Sequence, residues 1–349
     1  MGDRHAVTPY GRTGGSSRVR VFTWLDRLPT EHRPQVHSFV SGNRSSPGLL
    51  LGHPLNTMRS ELELRGLARS RPEWLMLHRE ASAFSRGKLE TSLVGSAGFS
   101  VYDLDDALYT DVGAGPIYRR LAPKAPKAVA AARGASRVVA GNAVLADWAS
   151  SLAKDVVVVP SCVAVDRYAL KTDYALGDPP RLVWIGSGGN EALLTTIGKA
   201  LLEVHARTGA RLSVVGNPEG SLGELDPMVD RVAWSESTQH EVIARADVGL
   251  MPIRNDPYSR GKCGYKLLQY AASGVPAVGS PVGANADVIA KLGLPAAYDV
   301  AEWGDRIFEL LSAPTDTRRT LGTAARAAVE VHYSYDAWHD QWLEAVGLS

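Results

Sequence analysis

Only two cysteines occur in 349 residues, Cys162 and Cys263. They stand far apart, and neither has neighbours at metal-ligand spacing. That excludes a disulfide framework and a zinc ribbon, and two free thiols in a reducing compartment are expected. No apolar run approaches the roughly 20 residues needed to span a bilayer, which excludes an integral membrane helix. The opening residues, MGDRHAVTPYGRTGG, lack both an apolar core and a small-residue cleavage site. No secretory signal is read there, and the expected location is the cytoplasm. Internal repeats and low-complexity tracts are also missing, so neither a solenoid nor a disordered chain fits.

What is present is the composition of a globular protein, with 45% hydrophobic and 21% charged residues. A chain this long exceeds one ordinary core and suits two α/β domains. The net charge of +1 hides an asymmetry: residues 1–175 carry 23 Lys+Arg against 16 Asp+Glu, leaving the remainder acidic. A basic first half fits an anionic acceptor, weak peripheral contact with an anionic lipid surface, or a plainly solvated face. No nucleic-acid partner is expected.

Short apolar runs alternate with helix-length patterns from end to end, which predicts parallel sheets covered by helices. In the first half the strands are expected at 5–9, 35–40, 74–78, 99–103, 137–141 and 155–160. Helices are expected over 17–28, 80–94 and 143–153. In the second half, strands are expected at 181–186, 211–216, 231–235, 248–253, 276–280 and 296–300. Helices there fall at 264–273 and 301–311. The tail reads as two helices broken near His332–Ser334. The resulting organisation is α/β: a Rossmann-like domain over 1–160, an unpatterned linker at 161–180 and a second Rossmann-like domain over 181–330. The last segment, 331–349, is expected to cross back to the first domain. Ligands of such sheets sit beyond the carboxyl ends of the strands.

Several segments in this order resemble the family-4 glycosyltransferases of GT-B fold: TGGSSRVR (13–20), VYDLDDALY (101–109), VVPSCVAVDRY (158–168), WIGSGGN (184–190) and, most specifically, RGKCGYKLLQYAASGVPAVGSPVGAN (260–285). The resemblance implies two Rossmann-like domains facing each other across a cleft, and transfer of a hexose from a nucleotide-sugar donor with retention. It implies no metal and no cofactor beyond the donor itself. Two features depart from the family pattern. Gly261 stands where the first of two glutamates is usual, with Gln269 at the second. The loop after the first strand of the second domain, WIGSGGNEALL, also lacks the usual Arg/Lys pair.

Breaking a glycosyl–phosphate bond builds negative charge on the leaving diphosphate, and fixed cations with backbone N–H groups stabilise it. Residues 260–266 supply Arg260, Lys262 and Lys266 around Gly261 and Gly264, and a helix starting at Gly264 adds its dipole. These three cations are the expected charge-stabilising groups. Gln269, by resemblance, faces the ribose hydroxyls, and Asp256 is the candidate replacement for the absent glutamate. Gly186, Ser187 and Trp234 are candidates to line the base and ribose. Gly14 and Gly15 open the helix expected to face the leaving phosphate. Asp103 and Asp105 are expected to orient the acceptor hydroxyl or steady an oxocarbenium-like centre. Asp106 and Arg79 stand on the same rim as acceptor contacts, with Arg79 pairing one of the carboxylates. A bland role stands beside each: a solvated basic loop, a turn-forming Asp-Pro, an ordinary N-cap, a structural ion pair. The segment 118–136 reads as a basic, Ala-rich surface helix. Alternative functions are another GT-B enzyme, such as a nucleotide-sugar epimerase or coupling enzyme, and a catalytically silent partner subunit.

Overall fold

The structure, a computed structural model, describes residues 3–42, 52–111 and 123–349. The chain divides into two compact units: Met1–Ser161, Gly261–Cys263 and Trp338–Ser349 form one, Cys162–Arg260 and Gly264–Ala337 the other.

The first unit holds a six-stranded parallel sheet, ordered β2-β1-β3-β4-β5-β6. Its strands are β1 Arg4–Tyr10, β2 Gln35–Val40, β3 Trp74–His78, β4 Phe99–Leu104, β5 Arg137–Ala140 and β6 Val156–Val158. β3 is buried along its whole length, as expected of a central parallel strand covered on both faces. The helix expected over 80–94 is shorter, Lys88–Ser96. Residues 80–87 are held in irregular backbone instead by Lys127, whose buried ammonium lies 2.7 Å from Glu80 and donates to the carbonyls of Ser82 and Ala83. Lys127 belongs to helix Ala125–Gly134. The basic stretch read over 118–136 thus turns one of its cations inward, and its residues 118–122 lie outside the described residues.

The second unit holds a five-stranded parallel sheet, ordered β11-β10-β7-β8-β9. Its strands are β7 Arg181–Ile185, β8 Arg211–Gly216, β9 Val229–Ala233, β10 Val248–Met251 and β11 Ala277–Gly279. Alternation along β7 fills two cores: Leu182 and Trp184 pack on one face with helices Gly198–Thr208 and Val300–Ser312, while Val183 and Ile185 pack on the other. Each such buried side chain contributes about 1.5–3 kcal/mol. The sixth strand expected at 296–300 does not form. Ala296 makes a single bridge to Gly279, and Asp299 then caps helix Val300–Ser312 through the Glu302 N–H at 2.9 Å. The cap ends the extended run before it can lengthen.

The stretch read as a linker packs onto the second unit from Cys162 onward. Val163, Val165 and Tyr168 enter its core, Lys171 lies 3.6 Å from the buried Asp247, and the Tyr174 hydroxyl donates to the Gly274 carbonyl at 2.9 Å. At the far end, helix Thr315–Tyr333 stays with the second unit, and helix His339–Val346 belongs to the first. Its Trp342 stacks on Trp24 with ring centroids 4.8 Å apart. The Trp74 indole donates to the Val346 carbonyl at 2.7 Å.

Strand order fixes where ligands can reach the backbone. In the first sheet the chain leaves β1 for β2 on one side and β3 on the other. In the second it builds β7-β8-β9 and then returns to place β10 against the other side of β7. Each reversal opens a crevice at the strands' carboxyl ends. The loops there are 11–14 and 79–87 in the first unit, and 186–191 and 252–260 in the second, where the chain re-enters at Gly264.

Candidate active site

In the second unit, β7 ends at Gly186, which rests on the ring of Trp184; a Cβ at Gly186 would stand 2.4 Å from the indole. The Lys266 ammonium lies 5.3 Å from the same indole's centroid. Lys266 and Gly186 are therefore brought to one place, at the switch point. Ser187 is tied to its own loop, accepting from the Asn190 amide at 3.0 Å.

Lys266 sits in the first turn of helix Tyr265–Ala272, which starts from Gly264 in left-handed backbone with φ of 65°. The first turn of a helix presents N–H groups that the helix cannot satisfy and carries the positive end of its dipole. A side chain at Gly264 would also press on Asn285, 3.0 Å from its Oδ1. Asn285 is fully buried; its amide donates to the Ser280 carbonyl at 3.0 Å, and among the described residues its Oδ1 has no hydrogen-bond partner. Next door, Gly283 starts helix Ala284–Leu292 with φ of 54°, and a Cβ there would fall 2.2 Å from the Arg260 carbonyl oxygen. Arg260 itself is exposed and donates to Asn255 at 2.9 Å.

Gln269 is buried, and its NH₂ is spent inside the unit on the Tyr168 hydroxyl at 2.9 Å and Gln239 at 3.3 Å. Gln239 in turn accepts from the Trp234 indole at 2.9 Å. Trp234 and Gln269 thus meet through a shared amide. Asp256 takes the bland role: its carboxylate accepts from the Ser259 N–H at 2.8 Å and caps the short helix Pro257–Arg260.

The first unit divides the acidic cluster between two sets of partners. Asp103 ends on Arg20 and His78: Arg20 donates to it at 2.6 and 3.2 Å, and His78 Nδ1 lies 2.7 Å away. All three are at most 1% exposed. Burial alone would raise the Asp103 pKa, but the Arg20 charge and the His78 contact outweigh it and hold the carboxyl below its ordinary value. Arg20 reaches this position from a helical run over 15–25 whose middle, Arg18–Phe22, is wound as a π-helix, a local widening often found at functional sites. Asp103 is a buried structural anion, not the acceptor-facing group the sequence suggested.

Asp105 and Asp106 are clamped by Arg79, at 2.5 and 3.0 Å to Asp105 and 2.5 Å to Asp106. Burial opposes ionisation of Asp105, yet Arg79 and then His78 bring it down to about 2. Arg79 has φ of 61°, a backbone costing roughly 1–2 kcal/mol in a residue with a Cβ. The carboxylates it holds offset that cost. Gly14 precedes the helical run and packs on Tyr10, while Gly15 has open space where a side chain would be.

The segment RGKCGYK does not act as one piece. Gly261–Cys263, with Lys262 at its centre, belongs to the first unit, whereas Arg260 and Lys266 belong to the second. Gly261 packs on Ala107 and Leu145. Its carbonyl accepts from the Asn142 amide at 2.9 Å, and the Cys263 thiol donates to the Asp105 carbonyl at 3.2 Å. Removal from water and the Asp105 charge push the Cys263 pKa up to about 11, so it stays a thiol.

Residues 179–313 match the family model described as glycosyl transferases group 1. They form a glycosyltransferase domain. No curated protein matches the chain by sequence. Solved structures match over its whole length. HepE (Alr3699) of Anabaena, solved with UDP and glucose, is 13% identical with a TM-score of 0.69 and 99% of both chains covered. The α,α-trehalose 6-phosphate synthase of Burkholderia multivorans is 11% identical, TM-score 0.65, covering 99% of this chain and 98% of its own. WaaG, a glycosyltransferase of lipopolysaccharide biosynthesis, is 14% identical, TM-score 0.66, covering 98% and 99%. At these identities the likeness establishes the GT-B fold.

Within the glycosyltransferase domain, three residues escaped the sequence reading. Trp184 looked like ordinary strand filling, yet it carries both Gly186 and Lys266. Asn285 was one more polar residue behind a glycine. Arg231 was read only as the start of a strand; it lies 3.0 Å from Glu191, donates to the Asn217 carbonyl at 2.9 Å, and keeps a buried Nη2 without a partner among the described residues. It brings a cation beside the loops after β7 and β8, where WIGSGGNEALL has none of its own. The sequence offered only an Arg opening an apolar run, and its pairing with Glu191, forty residues earlier, left no local pattern.

Proposed function

We propose that this chain transfers a sugar from a nucleotide-diphosphate donor to an acceptor hydroxyl, with retention at the anomeric carbon and without a metal or other cofactor. The glycosyl C–O bond breaks with its electron pair passing to the diphosphate. The acceptor oxygen bonds to the anomeric carbon, and its proton goes to the leaving phosphate. The observation that carries this reading is the convergence at the second unit's switch point of Lys266, the Gly264 helix start and the Gly186 turn. Such a place favours a diphosphate because fixed charge and N–H dipoles meet the negative charge as it grows. The UDP held by HepE supports a uridine donor as the first to test. Arg260 remains a candidate contact to the same phosphates. The acceptor is a polysaccharide precursor or a small metabolite, and the proposed compartment is the cytoplasm. Among the described residues no helix is long and apolar enough to cross a membrane.

The test is calorimetric titration of the whole protein with nucleoside diphosphates and their sugars, repeated with Lys266→Ala. The wild type is expected to bind one of them and to be raised in Tm by it. Lys266→Ala should weaken that binding about tenfold or more and slow turnover by about 10–1000-fold. Its melting temperature without ligand should fall little, since a single cation–π contact from a half-buried lysine contributes about 0.5–2 kcal/mol. A wild type that binds no nucleoside diphosphate or nucleotide sugar would make the chain a silent partner subunit.

A further inference from the structure

Helix Pro54–Ser70 packs on the first unit through Leu64 and Leu67. Its opposite side is apolar where water would be expected: Leu55 is 74% exposed, Met58 55% and Leu62 59%. At 100° per residue these three fall along one line of the helix, two turns long. Arg59, Arg65 and Arg69 are also exposed and stand within about a fifth of a turn of that line. The helix has two carboxylates, and both are committed. Glu61 accepts from Ser82 and pairs with Arg65 at 3.5 Å; Glu63 lies 2.6 Å from His37 Nδ1. The outward line therefore carries three large apolar side chains and three arginines, with neither carboxylate on it.

We infer that this face docks on an anionic lipid bilayer, the helix lying in the plane of the headgroups. Leu55, Met58 and Leu62 would enter the acyl boundary while the arginines meet lipid phosphates, and the combination supplies both terms that such binding needs. Charge decides against a second copy of the chain: a twofold pairing of this face would set arginines against arginines, with Glu61 already given to Arg65 and no acid on the line to neutralise Arg59 and Arg69. This inference does not depend on the proposed transfer reaction.

Co-sedimentation of the full chain with vesicles of phosphatidylglycerol and phosphatidylcholine tests it, against vesicles of phosphatidylcholine alone. The wild type is expected to pellet with the anionic vesicles at least tenfold more strongly, and to be released by salt. The triple variant Leu55→Gln, Met58→Gln, Leu62→Gln and the triple variant Arg59→Gln, Arg65→Gln, Arg69→Gln should each lose about tenfold in binding. Both should keep the wild-type melting temperature and nucleotide binding. No preference for anionic vesicles, or binding untouched by the apolar triple, overturns the inference. A concentration-dependent dimer abolished by the apolar triple would also overturn it, assigning the face to a second copy.

Discussion

Asp103 shows how a single carboxylate can look catalytic and be structural. Its place at the end of a central strand, two residues before Asp105, was legible in the sequence. Its partners were not, because Arg20 and His78 come from distant segments, and no local pattern says that a π-wound turn will swing an arginine inward. The pairing makes a definite prediction. Asp103→Ala leaves the Arg20 guanidinium buried without its counter-charge, and breaking a buried pair in this way costs about 3–5 kcal/mol. Thermal or urea unfolding should show the first unit's transition lowered by that order, with loss of activity following loss of fold. An Asp103→Ala protein that melts like the wild type but fails to turn over would restore the catalytic assignment.

Among elements, strands were read far better than the loops proposed to bind the donor. All six strands of the first sheet and five of the second stand close to where alternation and apolar runs put them, since a buried strand needs only β-branched and aromatic side chains on both faces. The failures share a cause. Residues 80–87 and 296–300 had the right composition for an element, but Lys127 in one case and the Asp299 cap in the other spent the backbone elsewhere. The helix starts at Gly264 and Gly283 were visible as glycines before periodic runs, while the reason for glycine lay in the packing. At Gly283 a Cβ would collide with the Arg260 carbonyl, in backbone that already disfavours one. Gly283→Ala should therefore destabilise the second unit by about 1–3 kcal/mol and shift the 252–260 loop. The checks are the unit's melting temperature and the affinity for the nucleoside diphosphate. Unchanged values for both would show that the loop yields freely.

For the whole molecule, the division into units is not the division of the chain. The sequence announced two α/β halves by alternation and a tail expected to cross back to the first, but not that residues 261–263 group with the first as well. The Trp24–Trp342 stack and the Trp74–Val346 hydrogen bond carry that return. Truncation after Ala337 removes Trp342 and uncovers Trp24, and the loss of a buried tryptophan contact costs about 3–5 kcal/mol. The first unit of the truncated chain should melt well below that of the full chain, while the second unit, which loses no residue, should still bind nucleotide. If both units melt as before, the tail is an ornament on a core complete without it.

The same return has a meaning in time. A ribosome extends the chain at roughly 5–20 residues per second, so Trp342 follows Ser161 by on the order of ten to forty seconds. Through that interval the nascent first unit holds six strands whose closing helix has not been made, and the Trp24 ring has no indole to stack on. The second unit has every one of its segments before the first is finished. The unit whose strands are made earlier is therefore the one that waits longer for its last helix.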